Sequence, residues 1–105
     1  MLGQSQYEFE WDEAKNKSNI RKHRIDFADL PTVFEGPMLV ILDAKQEYGE
    51  DRWIGIGLLR ATIVVVVFVE RPHETIRIIS ARKAAKYERE KFKKEIRDRL
   101  GLSGI

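Results

Sequence analysis

Two arginines flank the most strongly patterned stretch of this chain, residues 77–82. Alternation with apolar neighbours directs Arg77 away from a packed face, and Ser80 is placed to cap a following helix. Arg77 and Arg82 would then lie near one junction of strand and helix. Guanidinium groups match phosphate oxygens in geometry and stay charged at any physiological pH, so this pair predicts phosphate binding.

Helical spacing predicts two further basic surfaces. The final helix is expected from about Ala81 to Leu100, and its basic residues recur every three or four positions: Arg82, Lys86, Arg89, Lys93 and Arg97. An N-terminal helix capped by Asp12 runs to about Arg24 and places four polar residues on one face: Lys15, Asn19, Lys22 and His23. Each surface is either a solvated helix face or, together with the arginine pair, a wall of a groove for a polyanion.

Composition excludes several classes of protein. The 105 residues predict a single domain (1–105), with residues 1–6 and 101–105 as frayed ends. The chain has no cysteine and only two distant histidines, so we expect neither a disulfide framework nor a zinc site, and no cofactor. The longest apolar run, Ala61–Val69, is less than half of a membrane span, and no secretory signal pattern opens the chain. These features predict a cytoplasmic protein.

The small net charge of +2 conceals a strong asymmetry along the chain. Residues 71–100 carry eleven basic and five acidic residues, a net charge of +6. Residues 26–51 carry one lysine and seven acidic residues, a net charge of −6. Separation of this kind indicates a basic face for a polyanion.

Strand patterns separated by short turns fill the middle of the chain. Residues 7–11 alternate aromatic and acidic side chains, and apolar runs cover 38–42, 52–59, 62–69 and 75–80. The run from Ile63 to Val69 is apolar at every position, so we expect a central strand that is covered on both faces. Links of hairpin length join the last four strands into an antiparallel meander. The expected fold is α+β, with this meander packed against N-terminal helices and a C-terminal helix.

Two local features bear on packing. Asp26 is placed to cap a short helix. Pro31 would disrupt a long helix at this position. The apolar stripe of the short helix consists of Phe27, Leu30, Val33 and Phe34. Gly55 and Gly57 fall on one face of their strand. Glycines there indicate a close approach, either by a packed helix or by a ligand.

Several motifs in order resemble the BrnT family of toxins. Over about residues 7–92 they are Phe9-Glu10-Trp11-Asp12-Glu13-Ala14-Lys15, Asn19, Lys22-His23, Phe27, Arg52-Trp53-Ile54-Gly55, Glu70-Arg71, Arg77-Ile78-Ile79-Ser80-Ala81-Arg82 and Glu88-Arg89. The resemblance implies a RelE-like fold and a ribonuclease toxin of a type II toxin–antitoxin pair. Three positions depart from the family pattern: Arg24 stands for a glycine, Val69 for a threonine and Phe92 for a tyrosine.

Metal-free RNA cleavage needs a base for the 2′-hydroxyl proton, positive charge for the transition state and an acid for the leaving oxygen. We assign the charge to Arg77 and Arg82, with Arg71 and Lys22 in support. Glu70 is the candidate base if burial raises its pKa, and His23 or His73 is the candidate proton shuttle. Glu70 and Arg71 could equally form a structural ion pair. Lys15, Lys86, Tyr87 and Arg89 are the expected RNA-binding residues, with Tyr87 stacking on a base.

The resemblance also implies a partner. A BrnA-type ribbon-helix-helix antitoxin would neutralise the toxin in a hetero-oligomer and would carry any contact with operator DNA. Cleavage of RNA would inhibit translation and growth. Two alternatives remain open: a module that holds RNA or the ribosome without cutting it, and an assembly partner that represses an operon together with the antitoxin. The chain itself shows no helix-turn-helix spacing.

Overall fold

The computed structural model describes residues 6–43 and 49–101. Its strands are β1 (Glu8–Glu10), β2 (Met38–Leu42), β3 (Trp53–Leu59), β4 (Thr62–Arg71) and β5 (Thr75–Lys83), and its helices are α1 (Glu13–His23), a 3₁₀ helix (Phe27–Glu35) and α2 (Lys86–Arg99). The predicted frayed ends lie almost entirely outside the described residues, as do residues 44–48 between β2 and β3.

One five-stranded sheet in the order β1-β5-β4-β3-β2 carries the fold. Strands β2 to β5 pair antiparallel as consecutive neighbours, and β1 adds parallel to β5 at the edge. The predicted α+β meander is therefore confirmed. Strand β4 lies at the centre, and apolar clusters on both of its faces explain why it has no polar alternation.

The 3₁₀ helix covers one face of the sheet with a repeat of three residues. Phe27, Leu30 and Val33 are fully buried in the larger core. A 3₁₀ helix has three residues per turn, so side chains three apart line up more closely than on an α-helix. Pro31 lies inside this helix. Gly57 lets the 3₁₀ helix pack closely on β3, because a Cβ at position 57 would lie 2.7 Å from Val33 Cγ1. The close approach at Gly57 is therefore made by a packed helix and not by a ligand.

Helix α1 is held by two buried asparagines rather than by an apolar face. Asn19 Nδ2 donates to the Ile25 carbonyl at 3.0 Å, and Asn19 Oδ1 accepts from the Ala81 amide at 3.1 Å. Asn16 Oδ1 accepts from the Phe27 amide at 2.9 Å. Since β1 pairs only with residues 75–77 of β5, the contact from Asn19 places α1 beside the remaining edge of that strand.

The start of the last helix was predicted wrongly. Strand β5 continues to Lys83 because residues 81–83 pair with residues 64–66 of β4. Ser80 therefore lies inside the strand and caps nothing. Helix α2 begins at Lys86, and the Glu88 carboxylate accepts a hydrogen bond from the Ala85 amide at 2.7 Å.

The buried face of α2 is short. Phe92 is only 3% exposed and packs with Ile96 against Ile56 and Val65 on the second face of the sheet. Ala81 belongs to β5 instead of the helix, and Ala85 and Leu100 are exposed. Phe92 thus contributes packing between α2 and the sheet.

Replacement of Arg24 by glycine is expected to stabilise the protein. Arg24 ends α1 with φ 61° and ψ 30°, in the left-handed region, and its side chain is exposed. Glycine adopts this conformation without a Cβ clash, so Arg24→Gly should raise the free energy of unfolding by about 1 kcal/mol. Urea denaturation would measure the change.

Arg21→Gly is the matched control, because Arg21 is exposed in the last turn of the same helix. Glycine within a helix should lower the free energy of unfolding by about 1 kcal/mol. Equal losses from both substitutions would contradict the left-handed assignment at Arg24.

Candidate nucleic-acid interface

One extra residue in β5 places Arg77 and Arg82 on the same face of the sheet. On a regular strand, residues five apart point to opposite faces. In β5, however, Ser80 pairs with Val67 and Ile78 with Phe68, so that Ile79 has no partner in the ladder. This bulge shifts the alternation by one residue.

The ladder partners identify that face. Arg77 lies opposite Val69, and Arg82 lies opposite Val65, which packs in the cluster beneath α2. Arg71, two residues beyond Val69 on β4, points to the same side. We call Arg71, Arg77 and Arg82 the arginine face. The backbone positions of Arg77 and Arg82 are ~13 Å apart, since their partners Val65 and Val69 are four residue steps apart along β4.

Glu88 holds Arg82 in a fixed orientation. Arg82 Nη1 and Nη2 each donate to one carboxylate oxygen of Glu88 at 2.8 Å. The Glu88 side chain is only 10% exposed, whereas that of Arg82 is 44% exposed. The hydrogen bond from Arg82, assisted by the Ala85 amide, lowers the pKa of Glu88 to about 2, and the same hydrogen bond raises the pKa of Arg82.

The pairing with Glu88 leaves one edge of the Arg82 guanidinium available. Glu88 takes the two terminal N–H groups of the fork, and the Lys83 carbonyl accepts a second bond from Nη1 at 3.3 Å. The Nε–H and the remaining Nη2–H have no partner among the described residues. These two groups lie side by side, which is the arrangement that binds two phosphate oxygens.

Arg77 and Arg71 share a carboxylate instead. Arg77 Nη1 lies 3.1 Å from Glu10 Oε2, and Arg71 Nε lies 3.9 Å from the same oxygen. Arg71 also lies 3.4 Å from Glu50. Exposed ion pairs of this kind contribute about 0–1 kcal/mol each, so a phosphate can replace the carboxylate at little cost.

A cleft between α1 and the bulge adjoins the arginine face. It has a volume of about 210 Å³ and is lined by Lys15, Ser18, Asn19, Lys22, His23, Ile79 and Ser80. Ser80 lies opposite Val67, on the same side of the sheet as Arg77 and Arg82. Lys15 and Lys22 form no ion pair with any described residue. The structure therefore brings the predicted α1 residues to the bulge that lies between Arg77 and Arg82 in β5.

Glu70 does not join this group. Its ladder partner is Ile76, a residue of the larger core, so Glu70 lies on the opposite face of the sheet from Arg77. Nor does Glu70 pair with Arg71, because adjacent strand residues point in opposite directions and Arg71 binds Glu10 and Glu50. Both interpretations of Glu70 from the sequence, as the base and as the partner of Arg71, are thus unsupported by the geometry.

The remaining predicted residues are divided between separate surfaces. Tyr87 is 71% exposed, and its hydroxyl lies 3.4 Å from Glu88 Oε2. Lys86 is exposed beside it, and Arg89 Nη1 donates to the Ala84 carbonyl at 2.9 Å. The predicted basic stripe on α2 is broken, because Arg82 belongs to β5 and Lys93 and Arg97 line another groove. His73 lies in the β4–β5 turn, outside the α1 cleft.

Sequence reasoning missed Glu88 and Glu10 as parts of this site. The signal for Glu88 was present: a glutamate at the third position of a helix commonly accepts a hydrogen bond from the cap residue. Placing the helix start at Ala81 concealed it. No local signal identified Glu10, since its contact with Arg77 joins residues 67 apart in the chain.

Two kinds of feature are missing from the described residues. Within 6–43 and 49–101, no three His, Asp or Glu side chains cluster closely enough to hold a metal ion. In the same residues, no helix has both the length and the apolar character that crossing a bilayer requires.

The fold is that of a small α+β domain, with a mostly antiparallel sheet, flanking helices and an arginine face whose geometry suits phosphate, and comparison with known proteins narrows this class. The family described as "Ribonuclease toxin, BrnT, of type II toxin-antitoxin system" matches residues 11–88. The crystal structure of the Brucella abortus ribonuclease toxin BrnT is similar, with 34% identity and a TM-score of 0.61, over 76% of this chain and 97% of that chain. No curated protein matches significantly.

The chain therefore belongs to the BrnT family of ribonuclease toxins of type II toxin–antitoxin systems. Membership implies an antitoxin partner and an RNA substrate. The resemblance that the motifs indicated is confirmed.

Glu88→Gln is expected to destabilise the protein in a pH-dependent way. At pH 7 the loss of the charged bond to Arg82 should lower the free energy of unfolding by about 1–3 kcal/mol. Because the pKa of Glu88 falls from 4.5 to about 2 on folding, its contribution is complete above pH 4.5 and is lost as the pH falls towards 2. The difference between wild type and variant, measured by urea denaturation, should narrow over that window.

Glu90→Gln serves as the control, since Glu90 is exposed on the same helix. Its effect should stay within about 0.5 kcal/mol at every pH. A gap between wild type and Glu88→Gln that is equally wide at pH 7 and pH 3 would show that the Glu88 charge does not stabilise the fold.

Proposed function

We propose that this protein is an endoribonuclease that cuts RNA without a metal ion, and that the cut occurs where the arginine face meets the α1 cleft. The observation that carries the proposal is the bulge at Ile79, which brings Arg77, Ser80 and Arg82 to one face beside Lys22 and His23. The family description of the chain as a ribonuclease toxin supports the activity.

In the proposed reaction, the RNA 2′-oxygen attacks the adjacent phosphorus while the bond from phosphorus to the 5′-oxygen breaks. The products are a 2′,3′-cyclic phosphate and a free 5′-hydroxyl. Negative charge on the phosphate oxygens increases in the transition state, and fixed guanidinium groups stabilise it. Arg82 supplies its free Nε and Nη2 edge, Arg77 supplies the second charge, and Arg71 and Lys22 add to the field.

His23 is the group that we assign to proton transfer. It lines the α1 cleft with Ser80, and histidine is the side chain that exchanges protons near neutral pH. Glu70 is excluded from this role because it lies across the sheet. Lys15, Lys86, Tyr87 and Arg89 are proposed to bind RNA on either side of the cut phosphate.

The proposed physiological setting is a cytoplasmic hetero-oligomer with a BrnA-type ribbon-helix-helix antitoxin. The antitoxin would cover the arginine face, and operator DNA would be bound only through it. Released toxin would cut RNA and so inhibit translation and growth. A small neighbouring reading frame that encodes such a protein would support this setting, and its absence would count against it.

Arg77→Ala and Arg82→Lys are each expected to slow RNA cleavage by about 10²–10³-fold, the loss typical when one donor to a transition-state oxyanion is removed. Arg82→Lys keeps the positive charge beside Glu88 and so avoids leaving a buried carboxylate unpaired. Purified protein would be incubated with labelled RNA in EDTA, and the ends of the fragments identified.

Arg99→Ala is the control, because Arg99 lies at the far end of α2 and pairs only with Glu95 among the described residues. It should cut RNA at the wild-type rate. A folded double variant of Arg77 and Arg82 with full activity would remove the proposed site. Wild-type protein that retards RNA but leaves it uncut in EDTA and in magnesium would instead establish the binding-only alternative.

His23→Asn is expected to lower kcat by at least about 10²-fold, the usual contribution of a general acid or base. It should also remove one limb of the pH–rate profile, which a purely structural residue would not do. His73→Asn, in the β4–β5 turn, is the matched control and should retain both rate and profile. Identical profiles for wild type and His23→Asn would rule out His23 as the proton-transfer group.

A further inference from the structure

A second cavity opens beside Arg82, on the side opposite the α1 cleft. It has a volume of about 420 Å³ and lies between the first turns of α2 and the ends of β2 and β3. Its floor is apolar and consists of Ile41, Ile54 and Ile56, and charged and aromatic groups surround it: Asp43, Arg82, Tyr87, Glu88 and Lys91. We call this cavity the Tyr87 pocket.

The floor of the Tyr87 pocket is an uncovered part of the sheet. Ile41 and Ile54 are direct partners in the β2–β3 ladder and face the same side as Arg82. Helix α2 covers this side through Phe92 and Ile96, which lie further along the helix. Ile41 therefore remains 43% exposed. An apolar floor next to a bidentate cation offers a surface for a ligand that has both an apolar face and a phosphate.

Tyr87 is tied to the same cation. Its hydroxyl donates to Glu88 Oε2, and that oxygen accepts the bond from Arg82 Nη2. The phenol ring is thus held at the rim of the pocket while most of its surface is exposed. An exposed aromatic ring over an apolar floor, next to a phosphate-binding group, is the arrangement on which nucleobases stack.

The spacing suits a single nucleotide. Arg82 on β5 and Ile56 on β3 both pair with Val65 of β4, so their backbones lie two strand spacings apart, roughly 9.6 Å. The Arg82 side chain extends into the pocket lining and shortens that separation. A phosphate on the free edge of Arg82 would therefore place an attached nucleoside over Ile54 and Ile56.

We propose that the Tyr87 pocket binds one nucleobase of the RNA, next to the phosphate that Arg82 contacts. This inference rests on the proposed function, since it takes Arg82 as a phosphate-binding residue. It adds a specificity-determining subsite, formed by Tyr87, Ile41 and Ile54, to the cleavage site. The α1 cleft and this pocket then lie on the two sides of Arg82 and guide the RNA chain between them.

The test uses 2′-O-methyl tetranucleotides, which have no free 2′-hydroxyl and cannot be cut by the proposed reaction. Removal of a single base, one position at a time, should weaken binding to the wild-type protein by about tenfold at one position, in line with the stacking contribution of one base. In Tyr87→Ala and Ile41→Asp, removal of that same base should have no effect. If removing the base no longer weakens binding once Tyr87 or Ile41 is substituted, the base binds in the pocket formed by these residues.

Two controls match the substituted residues. Leu58 is 40% exposed, apolar and separated from the pocket by α2, and Tyr7 is an exposed tyrosine that lines a different cavity. Leu58→Asp and Tyr7→Ala should leave the tetranucleotide affinities unchanged. Thermal unfolding would confirm that all four variants fold.

The possible failures can be told apart. If removing each base lowers the affinity of Tyr87→Ala and Ile41→Asp by the same factor as that of the wild type, the base-binding role is overturned even though RNA cleavage persists. If the tetranucleotides do not bind at all, while bound antitoxin protects Ile41 and Tyr87 from exchange with solvent, the pocket is a protein-docking surface and the proposal is likewise overturned. Failure of the proposed function has a different result: labelled RNA would remain intact in the cleavage assay.

Discussion

A single unpaired residue of β5, Ile79, places Arg82 on the same side of the sheet as Arg77. Were β5 regular, Arg82 would point into the core beneath the 3₁₀ helix, and Ala81 would point outwards. Burying a guanidinium there without a partner would cost several kcal/mol, roughly the whole stability of a small domain. The bulge thus satisfies two conditions at once: Ala81 is buried, and Arg82 joins Arg77 on the other side. The arrangement of the site follows from this one irregularity in strand pairing.

The ion pair between Arg82 and Glu88 then connects that strand to the rest of the site. Glu88 also accepts from the Ala85 amide and from the Tyr87 hydroxyl, so one carboxylate positions the strand end, the helix start and the exposed ring. A buried carboxylate that accepts four hydrogen bonds from three residues has little freedom to reorient. Arg82 is consequently presented with one fixed edge, whereas Arg77 shares the exposed Glu10 with Arg71 and can exchange partners.

Much of the fold could be predicted from the sequence, and the site only in part. The uninterrupted apolar run from Ile63 to Val69 identifies a strand covered on both faces, and hairpin-length turns define the meander around it. Residues 81–83, Ala-Arg-Lys, suit a helix as well as a strand, and only their pairing with β4 decides between the two. The same limit applies to Glu70: the hairpin register pairs Glu70 with Ile76 and Val69 with Arg77, which puts Glu70 and Arg77 on opposite faces, and no local sequence pattern specifies that register.

Helix α1 is attached to the fold by polar contacts and not by an apolar face. It has no apolar stripe. Hydrogen bonds from Asn16 and Asn19 hold it in place, where another helix would use apolar contacts. A helix fixed in this way can keep Lys15 and Lys22 on the surface beside Ser80 without exposing apolar residues there. Arg71, Arg77 and Arg82 already have carboxylate partners, whereas Lys15 and Lys22 form no ion pair with any described residue, so α1 adds uncompensated positive charge to the interface. Under the proposed function, these lysines would attract a phosphate chain over a distance, and the paired arginines would supply the directional contacts once the chain has arrived.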